Sequence, residues 1–207
     1  MKWEYDDLVV ILQGNVRVDT KLVESAWSGF HVIWSTWVDQ KINTTNKVIY
    51  SEYPTLFGVG NIGLQKVSTY EGLLYAKEAG FKRAIKWRSD QYPTNAKKLS
   101  DIMDPNSLNL LYWHNHERGY YVDYFMEGDI DILLDIWNFN EFTNYPYSEY
   151  KTTQQIIQSK ANVHCIGDEL NDDNDILWTG PNTEKRLSTY KFDGLFQSLN
   201  INKHEQY

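Results

Sequence analysis

Arg83-Ala84-Ile85-Lys86-Trp87-Arg88-Ser89-Asp90-Gln91 reads as a buried strand that runs straight into a charged tip. A strand sends alternate side chains to opposite faces, so Lys86, Arg88 and Asp90 are expected on one of them. Two cations and a carboxylate make a poor core and a good site for an anion plus a metal. Upstream, Ser68 to Glu71 has the spacing of a capping box, and Gly80 sits where a helix would stop. The unit is helix, glycine, strand, charged tip. Ligands of open α/β sheets collect at the carboxyl ends of the strands.

The same pattern extends outward from this unit. Leu8-Val9-Val10-Ile11-Leu12 is continuously apolar and β-branched, as expected of a fully buried parallel strand. It ends in Gln13-Gly14-Asn15-Val16-Arg17, where a glycine lets a ligand approach the backbone, although an ordinary turn accounts for it equally well. Residues 18–29 carry Leu22, Val23, Ala26 and Trp27 at near-helical spacing. Phe30 to Trp37 reads as a second strand that closes on Ser35 and Thr36, hydroxyls suited to a base or ribose. Lys47 to Tyr50 is a short third strand, stopped by Pro54. Gly58-Val59-Gly60-Asn61-Ile62-Gly63 lacks the spacing of a phosphate-cradling fingerprint and reads as a flexible turn. The helix after it ends near Ala79, with Gln65 and Lys66 at its opening and placed to face a ligand.

Past Asp90 the sequence predicts a short helix over 95–103 and a buried strand from Leu108 to His114. His114 and His116 share a face, but without a third ligand nearby they read as a polar loop. Tyr120 to Met126 is a strand carrying one acid, Asp123, and it opens into Glu127-Gly128-Asp129-Ile130-Asp131 and a helix over 132–139. Capping and the helix dipole explain Asp129 and Asp131 without any function; alternatively, one of these acids faces an acceptor as a base. Beyond Asn140 a turn at 145–150, a polar helix over 151–160 and a short strand over 162–167 are expected. The acidic run 168–175 lacks calcium-loop spacing and reads as a solvated loop; one amphipathic turn follows at 192–196.

The length of 207 residues suits one domain, 1–207, with a first half of about 1–105 and a second of about 106–207. A net charge of -8 argues against nucleic acid as a partner. No apolar run approaches the roughly 20 residues of a transmembrane segment. A single cysteine, Cys165, excludes an internal disulfide framework and suits a reducing, cytoplasmic setting. The N-terminus, Met1 to Asp7, is acidic and does not read as a signal peptide. The 15 Tyr and 8 Trp are accounted for by packing, or more sharply by stacking on sugar rings.

Strand and helix patterns alternate through the first half, which predicts an α/β domain with a mixed, mostly parallel central sheet flanked by helices. Some antiparallel pairing is expected between Leu108 and Met126. Hydride chemistry, a P-loop and a serine nucleophile elbow all lack their signatures. What remains is a set of polar strand ends suited to a nucleotide diphosphate, with a carboxylate to anchor Mg²⁺ or Mn²⁺ and cations to neutralise the leaving phosphate.

The ordered set Ile11-Leu12-Gln13-Gly14, Val32 to Trp37, Val67 to Leu73 and Lys86-Trp87-Arg88-Ser89-Asp90 resembles the WavE-type lipopolysaccharide-synthesis family over roughly residues 8–130. Glycosyltransferases encoded by large algal viruses look similar. The resemblance implies a GT-A-like single domain that uses a nucleotide-sugar donor, a divalent metal and a glycan acceptor. On that view Asp90 stands where the final acid of an Asp-x-Asp metal motif sits, with Arg88 in the first position. Lys86, Arg88 and Ser89 would serve the diphosphate; Gln13, Gly14, Arg17, Ser35, Thr36 and Gln65 would border the nucleotide. An inverting reaction would use Asp129, Glu127 or Asp123 as base, and a retaining one would need none. UDP-sugars are the favoured donors, with a hexosyl or deoxyhexosyl group transferred. The alternatives are a sugar nucleotidyltransferase, a non-catalytic carbohydrate-binding domain and an interaction domain.

Overall fold

The computed structural model describes residues 7–93, 95–111, 113–114, 120–121, 123–140, 148–166, 177–180 and 183–186. The apolar run near the N-terminus becomes β1 (Leu8–Gln13), all of it buried. It lies between β2 (His31–Trp37) and β4 (Arg83–Arg88), parallel to both. β3 (Lys47–Ser51) extends the sheet beyond β2, again in parallel. On the other side come β9 (Phe125–Asp129), β6 (Leu108–Leu110) and β10 (Val163–Cys165). The order is β10-β6-β9-β4-β1-β2-β3, and β9 runs antiparallel to both of its neighbours. This is a mixed, mostly parallel seven-stranded sheet with flanking helices, the α/β arrangement expected from the alternating patterns.

Strand alternation divides the core in two. Val9, Ile11, Ile33 and Ala84 face α2 (Ile62–Glu78) and α4 (Ile130–Trp137). Val10, Leu12, Trp34, Ile85 and Trp87 face the other way, toward Trp27 at the end of α1 (Thr20–Ala26) and Leu99 in α3 (Ala96–Asp101). α2 crosses the sheet at Gly72, where a Cβ would lie 2.6 Å from Ile11 Cγ2. Only a residue without a side chain permits that approach. α5 (Ser148–Ser159) packs against α4 on the same side.

Several expectations need correcting. α2 begins at Ile62, not at Ser68, which lies inside the helix and is fully buried. The Ser68 hydroxyl donates back to the Leu64 carbonyl at 2.9 Å, so the capping-box spacing is coincidental. Gly80, with φ +95°, does follow the end of the helix. The single strand expected over 108–114 is divided into β6 and β7 (Trp113–His114), and that over 120–126 into β8 (Tyr120–Tyr121) and β9. β9 continues through Glu127, because Arg83 and Asn109 supply buried partners for its carboxylate. α4 starts at Ile130, and Asp129 caps it by accepting the Asp131 N–H at 2.8 Å.

A hairpin that the polar C-terminal sequence did not suggest, β11 (Leu177–Gly180) with β12 (Thr183–Arg186), pairs with β5 (Tyr92–Pro93). His116, the acidic run 168–175 and the turn at 192–196 lie outside the described residues. Among the described residues, no helix is long and apolar enough to cross a membrane.

Candidate functional site

The carboxyl ends of β1, β2 and β4 meet the amino end of α2 around a cleft of about 200 Å³. β1 and its loop contribute Gln13, Gly14, Asn15 and Arg17; β4 and its tip contribute Arg88, Ser89 and Asp90. Trp37 closes one wall, and Gly60, Asn61, Leu64 and Gln65 come from the start of α2.

Hydrogen bonds hold the loop and the tip together. Gly14 takes φ +102°, a conformation that favours glycine, and its N–H donates to the Ser35 carbonyl at 3.0 Å. The Thr36 hydroxyl donates to the Gly14 carbonyl at 2.8 Å. The Ser89 N–H donates to the Gln13 carbonyl at 2.9 Å, and its hydroxyl to the Asn15 carbonyl at 2.8 Å. Gln13 Oε1 in turn lies 2.8 Å from the Ser68 Oγ, which ties α2 to β1.

The charged groups are equally fixed. Arg88 Nε and Nη2 each donate to an Asp90 carboxylate oxygen at 2.9 Å. The Arg88 side chain is 32% exposed and that of Asp90 12%. The guanidinium also lies over the Tyr124 ring, 5.5 Å from its centre. Burial works against the charge on Arg88, yet the bonds and charge pairing with Asp90 leave its pKa raised. Arg17 adds an exposed cation to the lining. α2 points its positive amino end into the same space, and its N-cap residue, Asn61, makes no side-chain capping bond. Tyr53 stacks on Trp37 with ring centres 4.8 Å apart.

The structure thus brings Gln13, Gly14, Arg17, Gln65, Arg88, Ser89 and Asp90 into one cleft. It places the other anticipated residues elsewhere. Lys86 shares a strand face with Arg88 but is fully buried behind it, with Nζ donating to the Asp123 carbonyl and lying 5.0 Å from the centre of the Trp137 ring. Burial lowers its pKa to about 8. Ser35 is fully buried against α2, near Gly72. Thr36 shapes the Gly14 turn from behind.

The three acids also separate. Asp123 is fully buried two residues before β9, beside Lys86, and its carboxylate oxygens have no hydrogen-bond partner among the described residues. Asp129 pairs with Arg83 at the amino end of β4, five residues from Arg88 and so roughly 16 Å along the strand. Glu127 is opposite Ile85, on the sheet face away from the cleft, where Arg83 grips both its oxygens at 2.8 and 3.0 Å. Burial pushes the Glu127 carboxyl up, against the pull of Arg83.

Trp37, Asn15, Leu64, Gly60 and Asn61 also line the cleft, and sequence reasoning did not single them out. The signal for Trp37 was its place one residue past Thr36, at the end of β2. For Gly60 and Asn61 it was the glycine-rich turn read only as a flexible connection.

The donor set does not fit a metal centre. Asp90 is the sole carboxylate among the described lining residues, and Arg88 occupies both of its oxygens. Among the described residues, no three His, Cys, Asp or Glu side chains cluster to hold an ion.

No protein-family model matches the chain, and no curated protein does. Among solved structures, it is similar to a candidate nucleotide-diphospho-sugar transferase from Desulfovibrio desulfuricans G20, with TM-score 0.48 and 10% identity over 75% of this chain and 77% of that one. It is also similar to HddC from Yersinia pseudotuberculosis, with TM-score 0.43 and 12% identity over 76% of this chain and 88% of the other.

Proposed function

We propose that the chain is a glycosyltransferase that seats a nucleotide-diphosphate sugar, preferably a UDP-sugar, in this cleft and passes a hexosyl or deoxyhexosyl group to a glycan hydroxyl. The observation that carries this reading is Arg88. It is an oriented, partly exposed guanidinium in a cleft at the carboxyl ends of parallel strands, joined there by Arg17 and the amino end of α2. Cations so placed match the chemistry, because the bond from the sugar carbon to the phosphate oxygen breaks with its electron pair going to the leaving diphosphate. The resemblance of residues 8–130 to WavE-type proteins supports the same activity and suggests lipopolysaccharide or viral glycan synthesis as its setting. Of the three candidate bases, Asp123 is nearest the cleft end of β4, since it precedes the Phe125 that pairs with Trp87. An inverting reaction would draw on it, and a retaining reaction would not.

The test is calorimetric titration of UDP, GDP and their sugars into the full chain and into Arg88→Ala. One nucleotide should bind, and the variant should weaken it about tenfold or more, as expected for a lost charge-assisted contact. Failure of every nucleotide to bind folded wild-type protein would overturn the proposal.

A further inference from the structure

We infer that the cleft holds its nucleoside diphosphate without a divalent cation, with the Arg88 guanidinium supplying the neutralising charge and Asp90 acting as its positioning residue; this rests on the nucleotide-sugar reading above. An ion bridging a carboxylate and a diphosphate needs carboxylate oxygens that can turn to it, since Mg²⁺ is bound through one or two carboxylates plus the phosphates. Both oxygens of Asp90 already accept from Arg88, one N–H each, at 2.9 Å. With each Asp90 oxygen already sharing a lone pair with Arg88, a metal on Asp90 would sit beside the guanidinium and leave two positive groups side by side on a single carboxylate in a partly buried space. No second carboxylate among the described lining residues offsets that repulsion. Asn15 Oδ1, buried without a partner, offers only one neutral oxygen.

The same geometry suits direct phosphate binding. A guanidinium carries five N–H donors in a rigid fork. Two of them face Asp90, and the remaining edge belongs to a side chain that lines the cleft. Tyr124 supports the guanidinium, so little freedom is lost when it meets a phosphate. Arg17 brings a second cation to the same space. When the sugar–phosphate bond breaks, the diphosphate leaves with the electron pair, and the fixed Arg88 guanidinium, with Arg17 beside it in the cleft, stabilises the added charge. Asp90 touches neither substrate nor reacting atoms in this scheme. It sets the angle of the guanidinium.

The experiment is titration of UDP and GDP into the full chain, once in EDTA and once in Mn²⁺. The Kd of the nucleotide that binds should agree within about twofold between the two buffers, since its charge is neutralised by protein side chains. Arg88→Lys keeps the charge but loses the fork, and should raise that Kd about tenfold or more in EDTA. Asp90→Asn should raise it severalfold in EDTA as well, an effect that a pure metal ligand would not show there. Circular dichroism melts verify that each variant is folded; should either fail to fold, the wild-type comparison of the two buffers decides alone. Tightening by Mn²⁺ of about tenfold or more, lost in Asp90→Asn, would overturn the inference and make Asp90 a metal ligand. Absence of nucleotide binding in both buffers would instead overturn the nucleotide-sugar reading, and this inference with it.

Discussion

Replacing Glu127 with alanine removes the centre of a buried polar network and leaves the cleft intact. Glu127 is fully buried, and the Arg83 side chain that faces it is 16% exposed. Two hydrogen bonds, at 2.8 and 3.0 Å, join them, and Asn109 Nδ2 donates to the same carboxylate. Alanine takes away the guanidinium's counter-charge while the sheet still shields it from water. Breaking a buried pair from one side costs about 3–5 kcal/mol. Arg83 also donates to the Ser107 carbonyl at 2.9 Å, which cushions the loss. We therefore expect the lower end, about 3 kcal/mol, or a fall in Tm of roughly 6–12 °C for a chain of this size. Glu127→Gln keeps the volume and one acceptor, and should cost about 1–2 kcal/mol. Urea unfolding followed by circular dichroism measures both, and nucleotide titration on the folded protein should give an unchanged Kd. A Glu127→Ala protein as stable as wild type, yet without turnover, would refute the structural role and make Glu127 the base.

Asp129→Ala should lose the cap of α4 and about 1 kcal/mol of stability while turnover stays at the wild-type rate; lost turnover in the folded variant would contradict this. Gly72→Ala drives a Cβ to within 2.6 Å of Ile11 and should cost about 1–3 kcal/mol in denaturant unfolding, whereas an unchanged midpoint would show that α2 is less tightly seated. For Lys86 the folded pKa of about 8 lies below the ordinary 10.5, so below pH 8 the cost of burying its charge is fully present. Between pH 8 and 10.5 the unfolded chain binds more protons than the folded one, and stability rises by about 3 kcal/mol as that cost is relieved. Lys86→Met should lack this rise, so the difference in unfolding free energy between the two proteins should change from pH 7.5 to pH 10, and a constant difference would count against it.

The sequence made the sheet's centre legible because its signals are local. An unbroken apolar run became β1, shielded on both faces, and a buried run interrupted by Lys86, with a charged end, became β4 beside it. The polar residues at those two ends reached the cleft as a consequence of parallel pairing. What was not legible depends on direction and on partners far along the chain. β9 runs antiparallel to β4, so the acids at its carboxyl end go to the opposite end of the sheet from Arg88. Glu127 was read as a candidate base just past the strand because nothing near it in sequence announces Arg83, 44 residues away. Alternation was also carried one step too far: β4 ends at Arg88, and Asp90 turns back onto it rather than standing beside it. Ser68 looked like a helix start because its spacing fits, but the helix had already begun at a turn in which Gly60 and Asn61 take left-handed backbone.

Hydrogen–deuterium exchange of the full chain with and without saturating UDP- or GDP-sugar tests the central claim, that the cleft between β1, β4 and α2 is the donor site. Slowed exchange at residues 13–17, 60–65 and 88–91, with residues 127–131 unchanged, is the expected result, because the first three segments line the cleft and the last does not. Protection absent from those three segments, or confined to 127–131, would contradict it.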